Sequence, residues 1–185
     1  MTRSHLEAAL RAYAERFPTE HPTVTRFLQL VEAWPTCLLR EYMPGHLTAS
    51  GWVVHQDSDS VLLTHHRKLD KWLQLGGQAD GDPDLPGVAV REIEEESGIG
   101  EVTAADLRGV PLDIDIHEIP PHGDVPRHFH YDLRFGYTTP HRLPPVVSDE
   151  SHDVAWVPLA ELDSYTNEES MMRMRKKWRA LRRRV

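Results

Sequence analysis

Residues 76–99 read GGQADGDPDLPGVAVREIEEESGI, and they are the stretch that decides the fold of this 185-residue chain. A loop rich in glycine, aspartate and proline comes first, and apolar residues at helical spacing follow it. Gly98 is of the residue type that most often follows a helix, because glycine readily adopts the left-handed conformation. The stretch therefore predicts a loop that leads into a helix from about residue 86 to residue 97.

Three glutamates of this predicted helix share one face. At the helical rotation of about 100° per residue, Glu92, Glu95 and Glu96 fall within one arc, whereas Glu94 points to nearly the opposite side. Neighbouring carboxylates repel one another, and a divalent cation removes that cost. Mg²⁺ prefers oxygen ligands and is often completed by substrate phosphates, so this face is a candidate magnesium site. A solvated acidic helix face is the other interpretation.

The longer pattern resembles the Nudix box, in which G, five residues, E and seven residues precede R-E-U-x-E-E-x-G-U, where U is a bulky aliphatic residue. Gly77 takes the first position, and residues 91–99 (REIEEESGI) match every fixed position of the second half at the family's spacing. Pro83 replaces the first glutamate of the box and is flanked by Asp82 and Asp84. In the family that glutamate supports the loop, so its replacement bears on activity or metal affinity and not on the fold.

The resemblance to Nudix hydrolases implies an enzyme that uses Mg²⁺, or Mn²⁺, to cleave a phosphoanhydride bond. The substrate would be a nucleoside diphosphate linked to another moiety, or a related diphosphate. By resemblance, the metal ligands would be Glu92, Glu95, Glu96 and the Gly76 carbonyl. The three glutamates would also be catalytic, with Glu92 as ligand or general base.

The resemblance also implies supporting residues around the glutamates. Arg91 would orient them through charge-assisted hydrogen bonds, and Gly77 would support the loop beside them. Many family members draw a further base or ligand from a distant loop. Glu150 is the candidate for this catalytic role, with Asp149 second, and an ordinary exposed acid is the alternative interpretation of both.

Two other functions remain open within the same fold. An enzyme like isopentenyl diphosphate isomerase would need a catalytic cysteine, and the one cysteine, Cys37, lies far upstream of the box. A nucleotide-binding or regulatory module with a decayed box is consistent with Pro83, although Glu92, Glu95 and Glu96 are intact.

Residues 128–135 (HFHYDLRF) predict a strand whose side chains alternate between two faces. One face carries His128, His130, Asp132 and Arg134, which we interpret as substrate-binding side chains, with Arg134 meeting a phosphate. A solvated sheet face and a His/Asp transition-metal site are the alternatives. The aromatic and aliphatic residues of the other face are expected in the core.

The order of elements predicts an α/β domain of the α+β type, a Nudix-like α/β/α sandwich with a mixed sheet. Helical spacing covers residues 3–17, with Ser4 as the expected cap, and residues 22–33. A hairpin is expected at 48–55 and 60–66, further strands at 109–119, 127–138 and 152–157, and a last helix at 167–182. We expect an N-terminal helical extension (1–46), a Nudix domain (47–166) and a basic C-terminal helix packed on it (167–185).

The charge distribution along the chain limits the classes of molecule that the protein is expected to bind. Residues 173–184 carry eight basic residues and no acid, which leaves 13 basic residues against 29 acidic ones, a net charge of −16, in the rest of the chain. An acidic body argues against nucleic-acid binding, and no apolar run is long enough to span a membrane. We expect a small phosphorylated substrate, no nucleic-acid or membrane partner, and a cytoplasmic location, since one cysteine excludes an intrachain disulfide. Docking of the last helix on a second subunit leaves a homodimer open.

Overall fold

The structure is a computed structural model that describes residues 1–140, 144–149 and 151–182. Among these residues the helices are α1 (Arg3–Arg16), α2 (His21–Val31), α3 (Leu85–Ser97) and α4 (Glu169–Arg182). The strands are β1 (Gly45–His55), β2 (Ser60–His66), β3 (Lys71–Leu73), β4 (Leu75–Gln78), β5 (Thr103–Ala104), β6 (Asp113–Ile119), β7 (His128–Thr139) and β8 (Ser151–Pro158). Short 3₁₀ turns occur at Pro18–Glu20, Thr36–Leu38 and Leu162–Ser164.

The sheet is mixed and is organised around β1. Strand β1 pairs antiparallel with β2 and β4, and parallel with β7 over its whole length, from Gly45 opposite Phe129 to His55 opposite Thr139. Strands β5 and β6 pair antiparallel with β7, and β3 and β8 pair antiparallel with β2. The long parallel pair brings the starts of β1 and β7 side by side, although more than 80 residues separate them in the chain.

Helices cover both faces of the sheet, which confirms the predicted α+β sandwich with a mixed sheet. The core on one face joins α1, α2 and α3 to alternate residues of β1, including Leu47, Ala49 and Val53. The core on the other face joins α4 to Trp52 and Val54. Strand β1 is buried along its entire length because it lies between these two layers.

Most predicted elements are present with shifted ends. The hairpin of β1 and β2 and the helix at α3 are confirmed, and Gly98 follows α3 in the left-handed conformation, with φ 72°. The expected cap of α1 is wrong, because the Thr2 side chain, not that of Ser4, accepts a hydrogen bond from the His5 backbone. The first two helices end earlier than expected, at Arg16 and Val31.

Helix α4 packs on its own domain through apolar and charged residues. Met171, Met174 and Trp178 are buried against the sheet. Two basic residues of this helix, Arg173 and Lys177, reach the buried carboxylate of Asp113. No helix among the described residues combines the length and apolar character that crossing a membrane requires.

Candidate active site

Helix α3 is fixed in place by its apolar side. Leu85, Val88, Ala89 and Ile93 are buried. Ile93 packs so closely on β1 that a Cβ added at Gly51 would lie 2.4 Å from its Cδ1 atom, which explains the glycine in the middle of a buried strand. With this side buried, the opposite side of α3 presents its glutamates towards β4 and the solvent.

Two of the three predicted glutamates lie directly against the glycines of β4. The Gly76 backbone N–H donates a 2.8 Å hydrogen bond to Oε1 of Glu96. A Cβ added at Gly77 would lie 2.3 Å from Oε2 of Glu92, so this carboxylate occupies space that any other residue would fill. Glycine is therefore required at residue 77 by the close approach of the Glu92 carboxylate, and at residue 76 by the close approach of β1 at Ser50.

Arg91 lies among the acidic residues of the site. Its guanidinium is 3.5 Å from Glu92 and 3.9 Å from Glu95, and it also contacts Asp82 at 3.4 Å. These distances are long for direct hydrogen bonds, and the side chain is 40% exposed. The position agrees with the expected orienting role, exerted mainly through charge.

Asp82 ties the loop before α3 to the helix. Pro83 itself is exposed, while the Asp82 carboxylate accepts a 2.8 Å hydrogen bond from the Asp84 backbone and pairs with Arg91 at 3.4 Å. The loop at Pro83 is thus joined to α3 through a carboxylate next to the position of the absent glutamate.

The carboxylates of Glu92, Glu95 and Glu96 do not converge on one point. Within the part of the chain that the structure describes, they do not form a group of three or more ligand atoms lying within 4.8 Å of one another. The Glu95 side chain is 64% exposed and lies 3.9 Å from the guanidinium of Arg91.

The predicted distal base is only partly accounted for. Glu150 lies outside the described residues, and Asp149 is exposed. The Val146 backbone N–H donates a 2.8 Å hydrogen bond to the Ser97 carbonyl at the end of α3. The segment at 144–149 therefore passes beside the last turn of the carboxylate helix.

Arg134, predicted to meet a phosphate of the substrate, lies in a buried network of carboxylates. Its side chain is 4% exposed and is surrounded by Asp113, Asp115 and Asp132 at 3.3, 3.3 and 2.8 Å. A guanidinium already paired with three carboxylates has no exposed donor for a phosphate. The expected substrate contact of Arg134 is therefore not supported by the geometry, because β6 supplies Asp113 and Asp115, which the sequence pattern of β7 does not contain.

Asp132 belongs to the same buried network. It accepts hydrogen bonds from Thr48 at 3.1 Å, from Ser50 at 2.8 Å and from the Gln74 side chain at 3.2 Å. These partners, with Arg134, occupy both carboxylate oxygens, so Asp132 joins β1 to β7. Its predicted substrate contact has no support in this arrangement either.

The two predicted histidines of β7 lie in a separate cluster with His46 of β1. His128 and His130 approach each other with Nε2 atoms 3.3 Å apart, and the ring centroids of His46 and His130 are 4.9 Å apart. Burial lowers the pKa of His130 to about 3, helped by the charges of His117, His46 and His128. Burial, followed by the charge of His128, also lowers the pKa of His46, so both imidazoles are neutral at neutral pH.

Sequence reasoning did not assign a role to His46. Alternation along β1 places it on the same face as Thr48 and Ser50, but only the parallel pairing with β7 puts it opposite His130. Asp113 was also missed, because its partners come from β7 and α4. The run of alternating acids at Asp113 and Asp115 was the one signal that could have indicated a polar sheet face.

Cys37 does not fit a catalytic role. Its side chain is fully buried in the core beside α1 and β1, and burial raises the pKa of its thiol to about 11. A buried protonated thiol is a poor nucleophile, which argues against the isomerase alternative.

An open cleft of about 800 Å³ lies near the far end of β7, beside Gln56, Thr138 and Trp178. Among its lining residues only Asp106 is acidic, whereas Arg16, Arg108 and Arg182 are basic. The cleft does not contain the predicted carboxylates, so we place the candidate active site at α3 and β4.

The fold and the box together define the class of this protein. A profile of the NUDIX domain family matches residues 45–178, about three quarters of the chain. The chain belongs to the NUDIX domain family, and the predictions of that family and of an enzyme of the hydrolase class are confirmed. The match extends into α4, beyond the boundary expected at residue 166.

Solved structures with the same fold agree with this assignment. A Nudix family hydrolase from Clostridium perfringens has 25% identity and a TM-score of 0.58, with coverage of 74% of this chain and 97% of that one. The dihydroneopterin triphosphate pyrophosphohydrolase of E. coli has 19% identity and a TM-score of 0.54, with 70% and 92% coverage. The Nudix domain of Shewanella oneidensis NrtR, complexed with ADP ribose, has 14% identity and a TM-score of 0.53, with 75% and 89% coverage. No curated protein matches the sequence significantly.

Proposed function

We propose that this protein is a Mg²⁺-dependent pyrophosphohydrolase whose metal ligands are the glutamates of α3. The close approach of Glu92 and Glu96 to the Gly76–Gly77 backbone is the observation that supports the proposal most strongly. At residue 77 the Glu92 carboxylate occupies the space of a methyl group, which indicates that this glycine serves the site.

The residues present fit a hard divalent cation. Two carboxylates line the glycine pair, and both supply the oxygen ligands that Mg²⁺ prefers. Glu95 is exposed and held only by a long ion pair to Arg91, so its side chain can turn towards the same cation. Bound Mg²⁺ would neutralise charge on the transferring phosphoryl group and lower the pKa of a bound water.

The chain's own residues would bind, orient and accept a proton around that centre. The Glu92 side chain is 18% exposed and lies between Gly77 and Arg91, so its carboxylate is the general base that we assign for the attacking water. Arg91, which contacts both Glu92 and Glu95, would hold them in position. Asp149 is the second candidate for a base among the described residues.

We infer a nucleoside diphosphate linked to another moiety as the substrate class. Two proteins of the same fold support this choice, since one is the dihydroneopterin triphosphate pyrophosphohydrolase of E. coli and the other is complexed with ADP ribose. The acidic body of the chain is consistent with a substrate whose phosphates are held through a cation and not by a basic surface.

Hydrolysis assays with a panel of nucleoside diphosphate derivatives, with and without Mg²⁺, test this proposal. We expect Mg²⁺-dependent cleavage of at least one compound by the wild type and by E94Q, since Glu94 is exposed on the other side of α3. E96Q should be at least about 100-fold slower, because it loses a ligand of the catalytic cation. Cleavage by E96Q at the wild-type rate, or no cleavage of any compound, would contradict the proposal.

A further inference from the structure

The starts of β1 and β7 carry a cluster of three histidines that the proposed hydrolysis does not use. His46, His128 and His130 each offer one ring nitrogen, and these three atoms all lie within 4.8 Å of one another. His46 and His128 are 1% and 6% exposed, and His130 is half-buried. The residues lie on paired strands of a sheet, so the backbone holds them in fixed relative positions.

We propose that these three histidines bind one divalent transition-metal ion, such as Zn²⁺, at a site separate from the carboxylates of α3. Two Zn–N bonds of about 2.0–2.1 Å at a tetrahedral angle place the nitrogens roughly 3.4 Å apart. The Nε2 atoms of His128 and His130 are 3.3 Å apart, in agreement with this geometry. The borderline-soft imidazole ligand selects transition metals and not Mg²⁺.

The hydrogen bonds of His128 fix the ring nitrogen that faces the cluster. Its Nδ1 atom lies 2.9 Å from the Pro126 carbonyl oxygen, which can only accept a hydrogen bond. Nδ1 therefore carries the proton, and Nε2 of the neutral ring presents a lone pair to His130. A metal-binding histidine is commonly held in this way, with the ring nitrogen that does not bind the metal donating a hydrogen bond to a backbone carbonyl.

Hydrogen bonding within the cluster leaves nitrogens without partners. Both ring nitrogens of His46 are buried and lack a hydrogen bond of good geometry within the part of the chain that the structure describes, although the Gln78 side chain and the Tyr42 backbone are close enough to raise its pKa. Gln78 places its amide nitrogen 3.2 Å from Nε2 of His130, and its buried amide oxygen has no partner.

A cation inside the cluster satisfies the lone pairs of all three histidines at once. Its fourth ligand would be a water or the amide oxygen of Gln78, which completes the four ligands that Zn²⁺ prefers. The ion would join β1 to the start of β7, two neighbouring strands that are distant in the chain. The backbone carbonyl oxygen of Gln78 lies 3.4 Å from a guanidinium nitrogen of Arg91. Gln78 therefore lies between the two proposed metal sites.

Co²⁺ binding in the presence of excess Mg²⁺ tests this proposal, because Mg²⁺ occupies carboxylates and leaves imidazoles available. We expect one Co²⁺ per chain, with the visible absorption of a low-coordinate site, in the wild type. The same stoichiometry is expected in H117Q, whose ring contacts His130 without belonging to the trio, and in E96Q. H46Q and H130Q should bind at least about tenfold more weakly.

The thermal midpoint provides a second readout on the same proteins. Co²⁺ should raise the Tm of the wild type in a concentration-dependent manner and leave that of H130Q unchanged. The comparison of the wild type with H130Q still tests the histidine site if H46Q fails to fold. Equal Co²⁺ binding by H130Q and the wild type, or no Co²⁺ bound by the wild type, would overturn the proposal. Loss of Co²⁺ in E96Q alone would show that the ion binds at the carboxylates instead.

Discussion

Gly77 shows how one residue type can be set by a neighbouring side chain. The atom nearest to an added Cβ is Oε2 of Glu92, at 2.3 Å, and not a backbone atom. At Gly76 the corresponding neighbours are the Cβ and Cα atoms of Ser50, at 2.2 and 2.6 Å. A side chain at residue 77 is therefore accommodated by moving a carboxylate, whereas one at residue 76 must displace β1.

We predict that G77A keeps the fold and loses most hydrolytic activity. The added methyl group pushes the Glu92 carboxylate off the strand, so the metal site loses one of its ligands while the core is untouched. G100A is a matched control, because its Cβ would press on the carboxylate of Glu94 at 3.0 Å, on the other side of the helix. Rate measurements beside circular dichroism check both variants; unchanged activity in G77A would contradict the assigned position of Glu92.

The residues of the box could be assigned from the sequence because the pattern is local. Spacing along one helix determines which glutamates share a face, and Gly98 marks the end of that helix. The partners of Arg134 could not be assigned in this way. Two of the three, Asp113 and Asp115, come from β6, and which strand lies beside β7 depends on contacts between distant parts of the chain.

At the scale of elements, α4 is held by a buried charge network as well as by its apolar face. Asp113 is fully buried and accepts hydrogen bonds from Arg173 at 2.8 Å, while Lys177 joins it to Glu20 at 2.7 Å. Burial alone would raise the pKa of Asp113, but the hydrogen bond from Arg173 and the charges of Arg134 and Lys177 outweigh it and hold the pKa below its usual value.

We predict that D113N destabilises the fold by about 3–5 kcal/mol, because it leaves buried cations without their carboxylate. The wild type gains the full contribution of Asp113 above the unfolded-state pKa of about 3.9 and loses it as the pH falls towards the lower folded-state value. The stability of D113N should therefore depend less on pH below about pH 5. Urea unfolding of both proteins from neutral to acidic pH checks this.

Exposed Asp106 offers the control for this measurement. D106N should change the free energy of unfolding by no more than about 0.5 kcal/mol, since the residue lies on the surface. A D113N protein as stable as the wild type, with the same acid dependence, would show that the network does not hold α4.

At the scale of the whole molecule, the sequence predicted the fold class and most elements, but not which strands pair with one another. The hairpin, α3 and the mixed sandwich follow from periodicity and from the box. The pairing of β1 with β7 does not, because the two strands have no local signal for a parallel partner. The histidine cluster depends on that pairing, so His128 and His130 could be singled out while their third member, His46, could not.

The proposed hydrolysis requires that α3 and β4 bind a hard divalent cation. Mg²⁺ binding, measured by calorimetry on the wild type, E94Q and E96Q, tests this without knowledge of the substrate. We expect equal affinity for the wild type and E94Q, and a loss of at least about tenfold in E96Q. Equal Mg²⁺ affinity in all three proteins, or no binding by the wild type, would contradict the claim.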